Sequence, residues 1–101
     1  MALLIKTEEL EGLLSPKEIV EAVEEGYRKW AQGEAFNHPR QSIQAGPTRL
    51  RIISGAVPYL GAIGLRVHTD YITLKNRMRH SQVVVLYDYE REGLLAIFVG
   101  E

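Results

Sequence analysis

The first third of the chain carries apolar residues at helical spacing. Between Ser15 and Gly33 they fall close to a 3.6-residue period: Ile19, Val20, Val23, Tyr27, Trp30 and Ala31. This pattern is typical of an amphipathic helix that lays one stripe on a sheet. The stretch SPKE combines a capping serine, a proline at the first helical position and Glu18 three residues after the serine. With Gly33 suited to the C′ position, the pattern predicts a helix from Pro16 to Gln32.

The rest of the chain is dominated by short runs with strand character, separated by turn residues. The last two runs, QVVVLY and LLAIFV, flank a turn and predict a hairpin. Both are apolar on both faces, so each needs cover on two sides. With one long helix available, we expect the second cover from another chain or a missing domain. The predicted strands are 2–6, 40–44, 48–54, 62–69, 82–87 and 94–99, with 55–61 and 70–80 as connections.

The order of these elements predicts the fold class. One helix followed by about five mostly antiparallel strands is an α+β, two-layer arrangement, and we expect a single domain over residues 1–101. The chain has no G-x-G-x-x-G after a strand and no phosphate-binding P-loop, so no Rossmann domain is predicted. Its apolar runs are too short to span a membrane, its start lacks a basic segment, and it has no cysteines. We expect a cytoplasmic protein.

The net charge of −1 conceals a strongly basic middle segment. Residues 1–34 hold eight acids and four bases, residues 35–86 seven bases and one acid, and residues 87–101 one base and four acids. A segment with a net charge of +6 indicates an anionic partner such as a carboxylate or a phosphate. The alternative is a solvated face that meets the acids of the helix. The overall pI of about 6.3 argues against nucleic acid as the partner.

The strand GAIGLRVHTD places charge on one of its faces. Alternation puts Gly64, Arg66, His68 and Asp70 on the same side. A mid-strand arginine needs either a partner or a ligand cavity, and Gly64 suggests room beside it. Asp70 lies roughly 13 Å along the strand from Arg66, so a structural partner would have to come from another strand. Ligand binding and structural pairing both stay open.

Two further candidates are weaker. Arg40 follows Pro39 at the start of a predicted strand, where an arginine can hold a carboxylate bidentately or simply lie on the surface. His68 and Asp70 have a spacing that can serve a metal, but no third ligand accompanies them. We therefore assign no metal site and leave the roles of these two residues open.

The order of several segments resembles a known family. The segments are the helix opened by SPKEIVEAVEEGYRKWAQGEA, then Pro39-Arg40, then ISGAVPYLGAIGLRV and VVVLYDYEREGLLAIFVG. In this order they are similar to the N-terminal part of the ornithine cyclodeaminase / mu-crystallin family. The resemblance extends over essentially the whole chain. The matching residues are Pro58, Leu60, Gly61, Gly64, Arg66, Val67, Val84, Leu86, Asp88, Leu95, Ala96 and Gly100.

The resemblance implies a substrate-binding and dimerisation domain whose sheet packs against that of its partner. Arg40 resembles the residue that holds the substrate carboxylate. Arg66 stands where the family usually has a lysine that contacts the same substrate, which keeps the charge but excludes proton exchange near neutral pH. In the family, a further substrate arginine and an NAD- or NADP-binding Rossmann domain follow the hairpin. The chain ends at Glu101, so we expect no catalytic and no cofactor-binding residues within it.

The resemblance thus implies a function. We expect the substrate-binding and dimerisation part of an ornithine cyclodeaminase-like, NAD(P)-dependent protein that acts on a small amino or imino acid and is inactive alone. The alternative is a stand-alone, non-catalytic dimeric binding or scaffold module. The expected partners are a second copy of the chain and a small carboxylate, with no nucleic acid and no membrane.

Overall fold

A computed structural model of the chain describes residues 2–72, 78–91 and 93–100. It contains one α-helix and seven strands, which confirms the α+β class with a mostly antiparallel sheet. Short 3-10 turns lie at Thr7–Leu10 and Pro58–Leu60. The elements are α1 (Pro16–Ala31) and the strands β1 (Leu3–Lys6), β2 (Phe36–Asn37), β3 (Gln41–Ala45), β4 (Thr48–Val57), β5 (Ala62–Ile72), β6 (Met78–Asp88) and β7 (Leu94–Gly100).

The described strands form a single open sheet in the order β1-β7-β6-β5-β4-β2, with β3 also paired to β4. All pairs are antiparallel except β1 with β7, which run parallel. The long strands β4, β5 and β6 form the middle of the sheet. Because successive side chains alternate, the register of these three strands decides which residues share a face.

Several strands are longer than the sequence predicts. β4 continues to Val57, although Gly55 is a poor strand former and was expected to open a connection. Gly55 stays in the sheet because it pairs with Gly64 on β5. β5 likewise reaches Ile72 and β6 begins at Met78, so the predicted loop at 70–80 is wrong at both ends. Its middle, 73–77, lies outside the described residues.

The helix begins as the sequence predicts. The amide of Glu18 donates to Ser15 Oγ at 3.1 Å, and the amide of Ser15 donates to Glu18 Oε1 at 3.2 Å, which completes the capping box. Gly33 has a φ of +76°, in the left-handed region that ends many helices. The helix ends at Ala31, one residue before the predicted end. No helix in the described part of the chain is long and apolar enough to span a membrane.

Removing the cap should destabilise the domain measurably. We expect Ser15→Ala to lower the free energy of unfolding by about 1 kcal/mol, because the backbone N–H of Glu18 loses its acceptor, whereas Ser15→Asp should keep most of the stability. Urea denaturation followed by circular dichroism measures both. Lys17→Ala, an exposed change in the same turn, is the control. A loss in Ser15→Asp as large as that in Ser15→Ala would contradict the role of the cap.

The turn between β6 and β7 is held by a carboxylate. Asp88 Oδ1 accepts hydrogen bonds from the amides of Glu90, at 2.8 Å, and Arg91, at 2.9 Å. These two bonds hold the pKa of Asp88 below its ordinary value of 3.8, and the bond from Arg91 has the larger effect. A group whose pKa is lowered on folding stabilises the fold above its unfolded pKa, and this stability is lost as the pH falls through the folded pKa.

The pH dependence of an Asp88 variant tests this turn. We expect Asp88→Ala to lower the melting temperature at pH 6, where the carboxylate is charged. The difference from the unchanged protein should shrink as the pH falls well below 3.8, because the carboxyl then loses its charge in both states. Thermal melts at several pH values measure it. A difference that is the same at all pH values would show that the charge of Asp88 contributes nothing.

The two faces of the sheet are covered unequally. α1 lies across a gap from the face that carries Ile53, Gly64, Arg66, Val84 and Leu86, which we call the groove face. The apolar side chains of α1 that were predicted to pack on the sheet stay exposed because of this gap: Val23 is 52%, Tyr27 69% and Trp30 56% exposed. The opposite face, the outer face, has no helix over it among the described residues, and apolar side chains remain exposed there. These are Leu4, Ile43, Ile63, Tyr87 and Val99, between 41% and 71% exposed.

The chain exposes more surface than a folded monomer of its size. Its accessible area is 8156 Å², whereas a monomer of 11.4 kDa exposes roughly 5,800 Å². Its radius of gyration is 15.4 Å, against about 13 Å for a typical chain of this length. Among the described apolar residues, only Ala35 and Ala96 are buried, at 8% and 7% exposure. An area of roughly 2,400 Å² that a monomer would normally bury is therefore open to solvent.

Candidate functional site

A groove lies between α1 and the groove face, with a volume of about 600 Å³. Its lining is mainly apolar: Val23, Tyr27 and Trp30 come from α1, and Ile53, Val84 and Leu86 come from the sheet. Arg66 adds a positive charge to this lining. The groove has the size and composition of a small-molecule site, and Arg66 is the group in it that can fix an anionic ligand.

The C-terminal half of α1 is tied to the rest of the domain by side chains. Trp30 Nε1 donates to Asn37 Oδ1 at 2.9 Å, and Lys29 Nζ lies 5.6 Å from the centre of the Tyr59 ring. Lys29 also bonds to Glu34 at 3.0 Å, and this carboxylate raises the pKa of the ammonium group. These contacts anchor the C-terminal end of α1, which is the end opposite the capping box.

Gly64 is required by close packing of the backbone. A Cβ atom at this position would lie 2.1 Å from the carbonyl oxygen of Val85 and 3.0 Å from Leu86 Cδ2. The glycine therefore leaves room for strand β6, and not for a ligand beside Arg66 as its place in the sequence suggests. Gly64 still lines the groove, because the two strands meet at its edge.

Arg66 points its guanidinium at the next residue on its own face. Arg66 Nη2 lies 3.3 Å from His68 Nδ1. Because a guanidinium can only donate, Nδ1 is the acceptor in this contact. Arg66 itself is exposed. The contact with His68 thus orients an exposed cation at the mouth of the groove.

Beyond Arg66, four charged or titratable side chains meet on the same face. The register pairs Arg49 with Asp70 and Arg51 with His68 across β4 and β5. Arg49 Nη2 donates to Asp70 Oδ2 at 3.1 Å, and Arg51 Nε lies 3.8 Å from the same oxygen. Asp70 is 5% exposed and His68 is 7% exposed. We call Arg49, Arg51, His68 and Asp70 the arginine–aspartate cluster.

The arginines of this cluster are incompletely satisfied. The Nε atoms of Arg49 and Arg51 are buried and make no hydrogen bond within the described structure. The 3.8 Å between Arg51 Nε and Asp70 Oδ2 is an ion-pair distance, too long for a hydrogen bond. Asp70 is the single acidic residue in the segment 35–86. One carboxylate therefore faces two guanidinium groups.

Arg40 lies apart from the groove lining. It is exposed and precedes β3. The amide of His38 donates to the carbonyl of Ser54, and Gln41 pairs with Ile52, so Arg40 passes alongside Ile53, the cross-strand partner of Arg66. The backbones of Arg40 and Arg66 are thus two strand spacings apart, on the order of 10 Å. Two long side chains at this separation can reach one small ligand.

Sequence reasoning named Arg66 but did not find the cluster beside it. The signal was present: Arg49 and Arg51 alternate on one strand, as His68 and Asp70 do on the next. What was missing was the register, which brings the two pairs face to face. In the described ranges 2–72, 78–91 and 93–100, no three histidine, cysteine, aspartate or glutamate side chains are grouped so that they could hold a metal ion.

Comparison with known proteins finds solved structures that share this fold. No protein-family model and no curated protein matches the sequence. Among solved structures, an archaeal alanine dehydrogenase dimer with bound NAD matches 97% of the chain at 26% identity and a TM-score of 0.86. A probable ornithine cyclodeaminase from Bordetella pertussis matches 98% at 22% identity, with a TM-score of 0.81. The chain has an ornithine cyclodeaminase-like fold.

The fold recurs in a third solved structure. The Δ1-pyrroline-2-carboxylate reductase of Thermococcus litoralis, in complex with NADH and L-proline, matches 96% of the chain at 24% identity and a TM-score of 0.85. The chain spans 30%, 31% and 31% of the cyclodeaminase, dehydrogenase and reductase chains. It therefore corresponds to less than a third of each of these proteins.

Proposed function

We propose that the chain is the substrate-binding and dimerisation part of an ornithine cyclodeaminase-like, NAD(P)-dependent protein that acts on a small amino or imino acid. The observation that carries the proposal is Arg66, an exposed cation held by His68 at the mouth of a mainly apolar groove. The similar structures support it, since the alanine dehydrogenase contains NAD and the reductase contains NADH and L-proline.

In this proposal Arg66 and Arg40 bind the carboxylate of the ligand. A guanidinium can bind a carboxylate through two parallel hydrogen bonds, and a partly desolvated site strengthens them. The chain has no glycine-rich phosphate loop following a strand, so we assign no cofactor contact to its residues. The two arginines bind and orient the ligand, and neither transfers a proton near neutral pH.

A ligand titration tests the carboxylate site. We expect L-alanine and L-proline to shift amide resonances around Arg66 in NMR spectra, and their carboxamides, which lack the negative charge, to shift them much less. Arg66→Met should weaken binding of the two amino acids about tenfold, because one charged hydrogen-bonding partner is removed. Arg28→Met, an exposed change on α1, is the control. Equal losses in the two variants would show that the charge acts diffusely and that no site exists.

Dimerisation through the outer face is the second half of the proposal. Obligate dimer interfaces are large and apolar, and the outer face offers a continuous apolar surface on a chain with roughly 2,400 Å² of excess exposed area. The alanine dehydrogenase of the same fold is a dimer. A second copy packed on this face would supply the cover that the two-sided apolar strands of the hairpin need.

A charged substitution on the outer face should shift the oligomeric state. We expect the unchanged chain to sediment as a dimer in analytical ultracentrifugation, and Ile63→Glu, an exposed position on the outer face near the start of β5, to sediment as a monomer. A buried unpaired charge is costly, which is the reason for the effect. Val20→Glu places the same charge on an exposed apolar position of α1 and should leave the dimer intact. A dimer that survives Ile63→Glu but not Val20→Glu would place the interface on the helix.

A stand-alone binding or scaffold module is the second candidate. The observation that favours it is the mainly apolar groove, which can hold an uncharged ligand without the help of Arg66. Such a module would form the same dimer but would show no preference for amino acids over their carboxamides. The expectation of a cytoplasmic location stays a prediction under both candidates.

A further inference from the structure

His68 lies between an exposed arginine and a buried carboxylate. Alternation along β5 puts Arg66, His68 and Asp70 on the groove face, roughly 7 Å apart from one to the next. His68 Nδ1 lies 3.3 Å from Arg66 Nη2, and His68 Nε2 lies 3.8 Å from Asp70 Oδ2. His68 and Asp70 are almost fully buried, whereas Arg66 is exposed. The imidazole therefore joins the buried carboxylate of Asp70 to the cation at the mouth of the groove.

We propose that His68 is a positioning residue, which holds the guanidinium of Arg66 in the orientation that receives the carboxylate of the ligand. This rests on the proposed function, because it takes Arg66 as the residue that binds the carboxylate. His68 acts through Arg66 and does not contact the ligand. The proposal gives a role in binding to a histidine whose place in the sequence indicated only an incomplete metal-binding pair.

An exposed arginine binds a ligand more weakly when nothing orients it. Its side chain has many rotamers, and a ligand that fixes one of them loses part of its affinity to the ordering of that side chain. A hydrogen bond to a fixed acceptor orders the guanidinium before the ligand arrives, so this loss becomes smaller. Because a guanidinium has several N–H donors, one bond to His68 does not exclude a bidentate bond to a carboxylate.

The surroundings of His68 keep its acceptor atom in place. β5 lies between β4 and β6 in the sheet, and His68 pairs with Arg51 on one side and with Gln82 on the other. Asp70, beside the ring, accepts a hydrogen bond from Arg49 at 3.1 Å. A binding group is held most precisely by a residue whose own rotamer is fixed by packing and hydrogen bonds. The buried imidazole meets this condition, so it can fix a neighbour that is itself exposed.

A positioning role and a purely structural role of His68 differ in one measurable respect. A structural histidine stabilises the sheet, and its loss lowers the stability of the domain whether or not Arg66 is present. A positioning histidine changes the affinity for the ligand only while Arg66 is there to be positioned. The coupling between the two residues, measured on ligand affinity in a double-mutant cycle, therefore distinguishes the roles.

Two replacements of nearly equal shape test the proposal on the 101-residue chain. His68→Asn keeps an acceptor oxygen close to the position of Nδ1, and His68→Leu has a similar branched shape without an acceptor. In an NMR titration with L-proline we expect His68→Leu to weaken binding about fivefold and His68→Asn to weaken it less than about twofold. In the Arg66→Met background, His68→Leu should weaken binding no further. Thr69→Val, on the opposite face of β5, is the control and should leave the affinity unchanged.

The outcomes separate this role from the proposed function. An unchanged affinity in His68→Leu, equal losses in His68→Leu and His68→Asn, or a further loss in the Arg66→Met background would each overturn the positioning role. Carboxylate binding by Arg66 would still stand in these cases, provided that Arg66→Met weakens binding. If Arg66→Met leaves the affinity for L-proline unchanged, or if L-proline does not bind, both proposals fail. Circular dichroism shows whether His68→Leu folds, and His68→Val, which favours strands and also lacks an acceptor, takes its place if it does not.

Discussion

Gly64→Ala should lower the stability of the domain far more than an added methyl group at a glycine that faces open space. A Cβ atom at this position would lie 2.1 Å from the carbonyl oxygen of Val85, and this oxygen belongs to the backbone of the neighbouring central strand. Relief of the clash requires β5 and β6 to separate locally. We expect a loss of about 3 kcal/mol in the free energy of unfolding, at the upper end of overpacking effects.

Urea denaturation of Gly64→Ala and Gly93→Ala measures this effect with a matched control. Gly93 lies in the turn before β7, and a Cβ atom there would meet nothing within 4 Å. The same chemical change should therefore alter stability by less than about 0.5 kcal/mol at Gly93. If the two variants are equally stable, the close approach of β6 at Gly64 is not what requires glycine there.

Asp70→Ala is the second change with a large expected effect. Asp70 is almost fully buried and holds Arg49 and Arg51 on the adjacent strand. Without it, two partly buried guanidinium groups would face each other with no anion between them. Removal of one partner from a fully buried ion pair costs 3–5 kcal/mol, and because these arginines are partly exposed we expect about 2 kcal/mol.

A double-mutant cycle separates the ion pair from the effect of lost packing. Asp70→Ala and Arg49→Met each remove one partner of the 3.1 Å contact, and the double variant removes both. We expect the double variant to be about 1 kcal/mol more stable than the sum of the two single losses predicts, because the charge that Asp70→Ala alone leaves unpaired at Arg49 is then removed as well. Strict additivity in urea denaturation would show that the two side chains do not interact. Asp70→Asn, which keeps the shape, should lose less stability than Asp70→Ala.

The structure places the two predicted site residues differently, and a binding role for either stays a prediction. Arg66 lies on the lining of the groove, in keeping with a strand face that alternates charged and small residues. Arg40 lies at the surface, across β4 from Arg66, and its role as a second carboxylate-binding residue stays a prediction. His68 and Asp70, which the sequence left unassigned, belong to a buried cluster with two arginines of β4.

The secondary structure was predictable where local signals are strong. The capping box and the 3.6-residue period of α1 depend on residues within one turn of each other, so the sequence is enough to place the helix to within one residue. The strand ends were less predictable. Gly55 to Val57 look like a connection in isolation, and they are part of β4 because β5 supplies their hydrogen bonds.

By itself the sequence determined the α+β class, the amphipathic helix and the face of β5 that bears Arg66, because each follows from the period of side chains along one element. It also determined that the middle of the chain carries excess positive charge. Only the tertiary structure decided where that charge is concentrated. Register is a relation between two strands distant in sequence, and one residue of slip would send Arg49 and Arg51 to the opposite face from Asp70. The clash that requires glycine at position 64 likewise exists only when β5 and β6 are paired.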